Sequence, residues 1–523
     1  MRILRVLARV VSAVVLLAAA VGAIILAEQY PPAAPATVTG EATAVSAGPL
    51  SLVCAGPLEL TTGEQIAIDP ETDADPDLLV PASRTEVFTL ARDGNGSSDA
   101  AEAEYQLEGD TPEGLTVMGD LRAAQIDDPE SGGILEAQAV GGAAALAAGA
   151  SVTMTEAGDL RGLAGTSCQR PASATYLVGG SGDVGSSTRL TLTNTGTTSA
   201  TASVTLWSSL GEVPAPQLDE ISLAPGESEH LLLEAISSDP DLAVRVESPG
   251  GQVSAYAQEL RLDGIVPAGA DLFGPAAPPA PDFLIPGVLL TSAAEDGADP
   301  DEAEEEEAEE GEADELAPET PARLRLVNPG ESEARATVQL LGESGPVDLP
   351  GAENVTIDPG AVLELSLAVV DPGAYAVHVV ADEPLTGAVQ LARTGTPGPL
   401  DPSTAPVDRA WAPAVSPAAA ALIPLPALAD ATVLMSNNGA EAADVTLAAI
   451  EGDGSMGAPE TVEIDPWSTR VIDAEGHALL VQTDGAVSAA AVLRADAADG
   501  ELITVATPVP DAAEDLAVRV TVR

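Results

Sequence analysis

The sequence of 523 residues contains no lysine, and only 2% of its residues are aromatic. All 20 basic residues are arginine, and 82 acidic residues bring the formal net charge to −62 at pH 7. Nucleic acids and anionic membrane surfaces attract clustered positive charge, so this composition excludes nucleic acid as a partner. With so few aromatic rings, the cores must be filled by Val, Leu, Ile and Ala.

The usual signatures of enzyme and metal sites are also missing. There is no Gly-x-Ser-x-Gly elbow and no P-loop lysine, and His230, His378 and His477 lack metal-ligand or catalytic spacing. Among 82 acidic residues, no carboxylate pair stands out as a hydrolase site. We therefore expect a protein that is not an enzyme, with no catalytic residue, cofactor or metal. The alternative is an enzyme within residues 49–170, which a pocket with converging polar side chains would favour.

The N-terminus has the pattern of a membrane signal anchor. Arg2, Arg5 and Arg9 come first, and an apolar run over residues 10–27 follows. As a helix this run would span roughly 27 Å, close to the thickness of a hydrocarbon core. A cleaved secretory signal is the alternative, but its apolar region is usually shorter and residues 25–27 are a poor cleavage site. The positive-inside rule then predicts a single-pass protein of the cell membrane, with a cytoplasmic N-terminus and an extracellular body.

The two cysteines, Cys54 and Cys168, bracket the first region beyond the anchor. An even number of cysteines in a secreted setting predicts a disulfide, although two free buried thiols are the alternative. Without neighbouring histidines, two cysteines cannot complete a four-ligand zinc site.

The pattern apolar-x-apolar-x-Asn-x-Gly occurs three times, beginning at Leu190, Leu324 and Val433. The polar residues of the three copies are Asn194, Gly196, Asn328, Gly330, Asn437 and Gly439. Apolar residues and a proline recur at shared offsets after each Asn, two residues earlier in the third copy. Shared offsets mark a repeated folding unit.

Each copy alternates with period two, as in strands with one buried and one solvated face. Leu190 and Leu192 share one face, and the arginines at 323 and 325 lie on the solvated face of the second copy. Asn-x-Gly supplies the positive φ that a tight turn needs. The predicted fold class is mainly β, with tandem immunoglobulin-like or fibronectin-like antiparallel β-sandwiches after one N-terminal transmembrane helix.

The predicted domains follow from these signals. Residues 1–28 are the cytoplasmic tip and anchor, 29–48 a Pro/Ala-rich spacer, 49–170 a disulfide-bracketed β-rich domain, 171–280 the first repeat, 281–407 the second and 408–523 the third. Each repeat opens with an aromatic strand, at Tyr176, Phe283 and Trp411. An acidic insertion, 291–320, lies within the second repeat between successive strands, and we expect it to be disordered.

Other patterns have simpler interpretations. Gly180, Gly182 and Gly185 match a dinucleotide-binding spacing, but a strand follows them where a helix is required. Asp73, Asp75 and Asp77 alternate as in a calcium loop, yet the required Gly and Glu are replaced by Leu78 and Arg84. The acidic run at 295–315 lacks a preformed oxygen cage and predicts non-specific ion binding. Trp207, Trp411 and Trp467 could stack on sugars, but their different offsets favour core or strand-edge positions.

The order of these features resembles a known family. An N-terminal anchor precedes Ser-Leu-Val-Cys-x-Gly-Pro at residues 51–57, Tyr-Leu-Val-Gly-Gly at residues 176–180 and the Asn-x-Gly repeats. The sequence thereby resembles the uncharacterised actinobacterial family of membrane-anchored extracytoplasmic proteins called domain of unknown function 5719. The resemblance covers nearly the whole chain and implies no catalytic residues, and we expect the acidic insertion to be peculiar to this chain.

Together these observations predict a non-enzymatic, membrane-anchored scaffold or interaction protein of the cell envelope. Its partners are the membrane, through the N-terminal helix, and a protein or cell-wall component bound by the extracellular body. The alternative function is a carbohydrate- or cell-wall-binding module array that serves a separate envelope enzyme.

Overall fold

The computed structural model describes residues 38–39, 43–44, 46–60, 80–91, 100–250, 252–291, 321–398, 401–512, 517–518 and 521–522. The chain forms two compact units, Ala47–Ala513 and a small unit made of Met1–Ser46 with Glu514–Arg523. No helix within the described ranges is long and apolar enough to cross a membrane. The predicted membrane span at 10–27, the Asp73 to Asp77 loop and the acidic run at 295–315 lie outside the described residues.

The regular secondary structure of the described residues is almost entirely β-strand, and the strands are numbered here along the chain. The first two are β1 (Val38–Thr39) and β2 (Thr43–Ala44). The first large group comprises β3 (Leu50–Cys54), β4 (Ala82–Leu90), β5 (Ala103–Leu107), β6 (Glu113–Gly114), β7 (Thr116–Met118), β8 (Leu121–Asp127), β9 (Gly133–Ala137), β10 (Leu146–Thr155) and β11 (Gly162–Ser167). The second comprises β12 (Ala174–Val178), β13 (Ser186–Asn194), β14 (Ala200–Ser208), β15 (Gly211–Val213), β16 (Ile221–Leu223), β17 (Ser228–Leu232), β18 (Ala243–Glu247), β19 (Val253–Asp263) and β20 (Val266–Phe273), with 3-10 turns at Pro216–Leu218 and Leu233–Ala235.

The remaining strands continue this order. The third group comprises β21 (Ala280–Leu290), β22 (Arg323–Val327), β23 (Ala334–Gly342), β24 (Gly345–Asp348), β25 (Val355–Ile357), β26 (Val362–Ser366), β27 (Gly373–Thr394) and β28 (Val407–Pro413). The fourth comprises β29 (Ala420–Pro424), β30 (Asp430–Asn437), β31 (Ala443–Ile450), β32 (Glu460–Ile464), β33 (Ser468–Ala474), β34 (Ala478–Thr483), β35 (Val487–Ala497), β36 (Gly500–Ala506) and β37 (Val509–Pro510), and β38 (Ala517–Val518) and β39 (Thr521–Val522) end the series.

Each large group builds two antiparallel sheets that face each other as a sandwich, so the predicted mainly-β antiparallel fold is confirmed. We call them the central and the flanking sheet. The central sheets have the strand orders β7-β8-β4-β10-β11, β17-β13-β19-β20, β26-β22-β27-β28 and β33-β30-β35-β36. The flanking sheets have the orders β3-β9-β5-β6, β12-β18-β14-β15, β21-β27-β23-β24 and β29-β34-β31-β32. In the third sandwich the 22-residue strand β27 serves both sheets, pairing with β23 through its first half and with β22 through its second.

The first sandwich is a fourth copy of the repeated unit. Its strands pair in the same order as those of the three sandwiches that carry the Asn-x-Gly pattern. It lacks that pattern, and for this reason the sequence predicts three copies rather than four.

The strand containing Trp411 corrects one predicted boundary. β28 pairs along its length with β27, so it closes the third sandwich instead of opening the fourth. The fourth sandwich therefore begins with β29, after the predicted boundary at 408. By contrast, β21 and β22, which flank the acidic insertion, both belong to the third sandwich.

The four sandwiches close into a ring. Their last central strands, β11, β20, β28 and β36, each contact the next, and β36 returns to contact β11. Apolar clusters cross the seams: Val53 of the first sandwich packs with Tyr256 of the second, and Leu422 of the fourth lies in the core of the first. A face that would be solvated in an isolated sandwich is therefore buried against the neighbouring one.

The predicted disulfide is present. Cys54 at the end of β3 and Cys168 just after β11 are bonded, with a sequence separation of 114. The bond therefore joins the flanking and central sheets of the first sandwich.

Candidate functional site

The asparagines of the repeats are buried anchors. Asn194 is fully buried, and its Nδ2 donates to the carbonyls of Thr198 (2.9 Å) and Leu223 (3.2 Å). Asn328 makes the same bonds to Ser332 and Ile357, and Asn437 to Glu441 and Ile464. Each asparagine thus ties the turn that follows its own strand to the chain about 28 residues further on, and this is a structural role.

The glycines of the same pattern do not have the positive φ that the sequence predicts, and that expectation is wrong. The N–H of Gly196, Gly330 and Gly439 donates instead to Oδ1 of the Asn two residues earlier, at 2.8–3.0 Å. A Cβ on Gly439 would lie 2.9 Å from that oxygen. Close approach of the asparagine side chain, rather than backbone twist, therefore selects glycine here.

A buried polar cluster occupies the centre of the ring. Asp408 on β28 accepts hydrogen bonds from the N–H groups of Leu163 (3.2 Å) and Ile503 (2.7 Å), which belong to the first and fourth sandwiches. Asp271 on β20 accepts from the N–H of Trp411 (2.7 Å) and from Oγ1 of Thr504 (2.9 Å). These carboxylates accept hydrogen bonds from donors at the edges of neighbouring strands, where no backbone ladder supplies a partner.

Burial controls the titration of this cluster. It raises the pKa of Asp408 to about 7, and it raises the pKa of Asp271 well above its usual range. Burial alone would also raise the pKa of Glu259, but the charge of Arg261 and the indole N–H of Trp411 bring it below its usual value. Asp271 and Asp408 are buried, and the cluster holds strands of neighbouring sandwiches together.

One arginine pairs across each seam of the ring. The pairs are Arg189 with Glu59, Arg325 with Asp241, Arg393 with Glu501 and Arg161 with Asp499, at 2.7–2.8 Å. Arg325 is 1% exposed, so the prediction that it lies on a solvated face is wrong. It also donates to the carbonyls of Gly180 and Leu242 in the second sandwich and lies 4.7 Å above the Trp411 ring. These arginines were not predicted as buried, because the alternating pattern alone does not reveal that both faces of a sheet are covered.

The glycine motif at 180–185 precedes strand β13, so no helix follows to bind a pyrophosphate. Its glycines permit close packing. A Cβ on Gly182 would collide with the carbonyl of Ser237, and one on Gly185 with that of Leu262.

The tryptophans lie at interfaces rather than on a common face. Trp207 and Trp411 are both 2% exposed. Trp207 stacks on Tyr176, and Trp411 is tilted against Phe273. Trp467 is partly exposed, lies 5.6 Å from the His378 ring and packs on Leu284 of the third sandwich. This arrangement does not form a sugar-stacking platform.

The histidines are also separate. His230 hydrogen-bonds Thr191 (3.0 Å), and His378 bonds Asp282 (2.9 Å). His477 lies 3.2 Å from Glu86 of the first sandwich and 3.1 Å from the Gly452 carbonyl. Within the part of the chain that the structure describes, no three His, Cys, Asp or Glu residues form a metal-binding group.

A cleft of about 620 Å³ lies in the first sandwich, at its seam with the fourth. It is lined by Glu86, Val87, Phe88, Tyr105, Leu107, Asp110, Thr111, Glu113, Gly114, Thr116, Met118, Leu121, Ala123, Ala124, Gln125, Ile126 and His477. The walls are mostly apolar, three carboxylates line it, and His477 is the only basic side chain among them. Large apolar pockets with a few polar groups are the default binding sites of proteins, so this cleft is the candidate functional site.

The polar floor of the cleft is the pair of Glu86 and His477. Gly452 O can only accept, so Nε2 of His477 donates to it, and Nδ1 lies 3.2 Å from Oε2 of Glu86. Among the described residues the other oxygen of Glu86, Oε1, has no hydrogen-bond partner, and it lies 3.9 Å from Nη1 of Arg84. A buried carboxylate oxygen without a bond is ready to accept one from a ligand.

Comparisons with known proteins identify the chain by family. No curated protein matches the sequence. Two solved structures of the pilus backbone protein RrgB from Streptococcus pneumoniae are 11% and 10% identical; the matches cover 68% and 85% of this chain and 85% and 88% of those chains. Both have a TM-score of 0.09, too low to indicate a shared fold. The model of a family of unknown function, DUF5719, matches residues 123–475, from the first sandwich into the fourth, and the chain therefore belongs to that family.

Proposed function

We propose that this protein is a non-enzymatic scaffold of the cell envelope, anchored by its N-terminal segment, whose ring of immunoglobulin-like sandwiches presents a binding surface to a partner protein. The observation that carries the proposal is that the buried ionisable side chains connect the sandwiches. Asp271, Asp408 and the seam arginines bond strands of neighbouring sandwiches to one another. Such bonds give a rigid body, and rigid bodies present loops and strand edges for recognition.

Two further observations support an extracytoplasmic location. The disulfide is stable in an oxidising compartment, and the apolar run at 10–27 has the length of an anchor. The net charge of −62 favours a basic partner.

Crosslinking in intact cells tests the proposal. A photoreactive amino acid at an exposed position, such as Leu210 in the second sandwich, would be activated in living cells and the adducts identified by mass spectrometry. We expect a defined protein adduct that is absent when the probe occupies a buried position such as Leu206. Recovery of lipid and self-adducts alone, with probes in all four sandwiches, would contradict the scaffold function.

An enzyme is the second candidate, because the cleft in the first sandwich contains an acid–histidine pair. Glu86 and His477 could act as a general base if a substrate entered. A hydrolase screen with Glu86→Gln as the control separates the two functions, since a scaffold gives no turnover that this substitution removes.

A further inference from the structure

The cleft runs along an unpaired strand edge. β7 pairs with β8 only from Thr116 opposite Ala123 to Met118 opposite Leu121. Among the described residues, no strand pairs with residues 124–127 on that side. The cleft is lined by four consecutive residues, 123–126. Side chains of one strand alternate between faces, so a cavity touching four in succession follows the strand edge and reaches both faces.

The direction of the free backbone groups can be assigned. The carbonyl of Ala123 accepts a hydrogen bond from Oγ1 of Thr116 (3.3 Å), so the peptide groups of Ala123 point toward β7. The N–H and C=O of alternate residues in an antiparallel strand point to the same edge. Gln125 and Asp127 therefore direct their N–H and C=O groups to the open edge beside the cleft.

The two faces beside this edge differ in chemistry. Gln125 lies opposite Glu86 in the ladder with β4, so both side chains lie on the face that holds the unbonded Oε1. Ala124 and Ile126 lie on the other face, where Leu107 also lines the cleft. A strand added here would place alternate side chains against a carboxylate and against an apolar wall.

We propose that the edge of β8 at residues 124–127 binds an extended segment of a partner protein, whose side chains alternate between basic and apolar. This inference rests on the proposed scaffold function and names the partner's binding chemistry. Backbone hydrogen bonds to Gln125 and Asp127 hold the segment, as in other strand-addition complexes. Glu86 selects the basic side chains, and Leu107 and Ile126 receive the apolar ones.

A peptide titration tests the proposal. The probe is a fluorescein-labelled hexapeptide of alternating valine and arginine, added to the whole protein at 0.15 M salt, with fluorescence anisotropy as the readout. Two control peptides are used: one with glutamate for arginine, and one with the same sequence N-methylated at every second residue. The N-methylated peptide keeps its charge but cannot form an edge ladder, so it separates strand addition from non-specific attraction to an acidic protein.

Two variants locate the site. Gln125→Pro removes the outward N–H while proline remains tolerated on an edge, and Gln125→Ala removes only the side chain. We expect saturable binding of the valine–arginine peptide, a loss of about tenfold or more in affinity for Q125P, and little change for Q125A. A thermal melt shows whether both variants fold.

Equal binding of the methylated and unmethylated peptides, or no binding of either, would overturn the proposal even if Q125P failed to fold. A protein adduct still found by crosslinking in intact cells would then leave the scaffold function standing, with its partner bound elsewhere. If neither strand-dependent peptide binding nor a protein adduct were found, the scaffold function would be contradicted as well.

Discussion

At the level of single residues, the polar side chains that matter most are those that bond backbone across long sequence distances. Asn194, Asn328 and Asn437 each satisfy carbonyls of two separate segments, and Asp408 satisfies N–H groups of two other sandwiches. Removing one partner of a buried hydrogen bond typically costs about 1–3 kcal/mol. These positions therefore fix how the repeated units fold and how they meet.

The titration of Asp408 predicts a pH dependence of stability. Its pKa is about 7 in the folded state, against about 3.9 in an unfolded chain. Between these values the folded state holds a proton that the unfolded state releases. Stability from this group is therefore complete below about pH 4, falls as the pH rises toward 7 and then levels off, a change of about 4 kcal/mol at most.

Asp408→Asn isolates this effect, because asparagine is neutral at every pH and keeps an acceptor oxygen. We expect the variant and the wild type to have similar free energies of unfolding near pH 4, and the variant to be relatively more stable at pH 8. Denaturant unfolding at constant ionic strength measures the difference. Parallel curves for the two proteins across this range would show that Asp408 does not titrate as described.

Sequence patterns predict some of these residues and not others. The Asn-x-Gly spacing is visible because three copies repeat it, and the cysteine pair because there are only two. Asp408, Asp271 and Arg325 have no comparable signal: in the sequence they are single charged residues in strands, and only ring closure buries them. The cleft at Glu86 and His477 is hidden for a related reason, since the two residues lie 391 positions apart.

At the level of elements, the turns that precede β8, β17, β26 and β33 each contain a residue in the left-handed conformation. Gly119, Gly226 and Gly360 occupy this position with φ of 56–72°. In the fourth sandwich the residue is Trp467, with φ of 56°. A left-handed conformation costs a residue with a Cβ about 1–2 kcal/mol. The contacts of the Trp467 ring with Leu284, Leu341 and the His378 ring across the seam offset that cost.

Two substitutions at Trp467 separate strain from packing. Trp467→Ala loses the ring and keeps the strain, whereas Trp467→Gly loses both. We expect both variants to be destabilised, with W467G the more stable of the two by about 1–2 kcal/mol. Denaturant midpoints with equal slopes measure the difference. A glycine variant less stable than the alanine variant would mean that the backbone at this turn is not strained.

At the level of the whole molecule, ring closure explains why a chain of apparently separate repeats forms one compact unit. The last strand of each central sheet contacts its counterparts in two neighbouring sandwiches, so no sandwich can open without exposing the faces of the next. The sequence correctly predicts that the repeats are built of antiparallel β-strands. It does not predict the ring, because apolar residues such as Val53 and charged residues such as Arg161 both lie in the seams, and alternation alone does not separate them from residues of a solvated face.

The disulfide tests this cooperativity. Its loop separation of 114 residues corresponds to about 4–5 kcal/mol in the chain-entropy model. The double variant Cys54→Ser/Cys168→Ser should lose about that much free energy of unfolding. Because β11 contacts both β20 and β36, the ring should still unfold in one transition, at a lower denaturant concentration. The oxidised wild type treated with a reductant should behave like the variant. Separate early unfolding of the first sandwich would contradict closure of the ring.

The strand pairs of the small unit have a practical consequence for engineering. β1 is antiparallel to β39, with Val38 opposite Val522, and β2 is antiparallel to β38. Val38 at the start of β1 and Val522 at the end of β39 are therefore neighbours. In a version without residues 1–37, a short peptide could join Val38 to Val522 and new ends could be cut at an exposed hairpin such as that of Leu210, giving a circular permutant that retains these strand pairs.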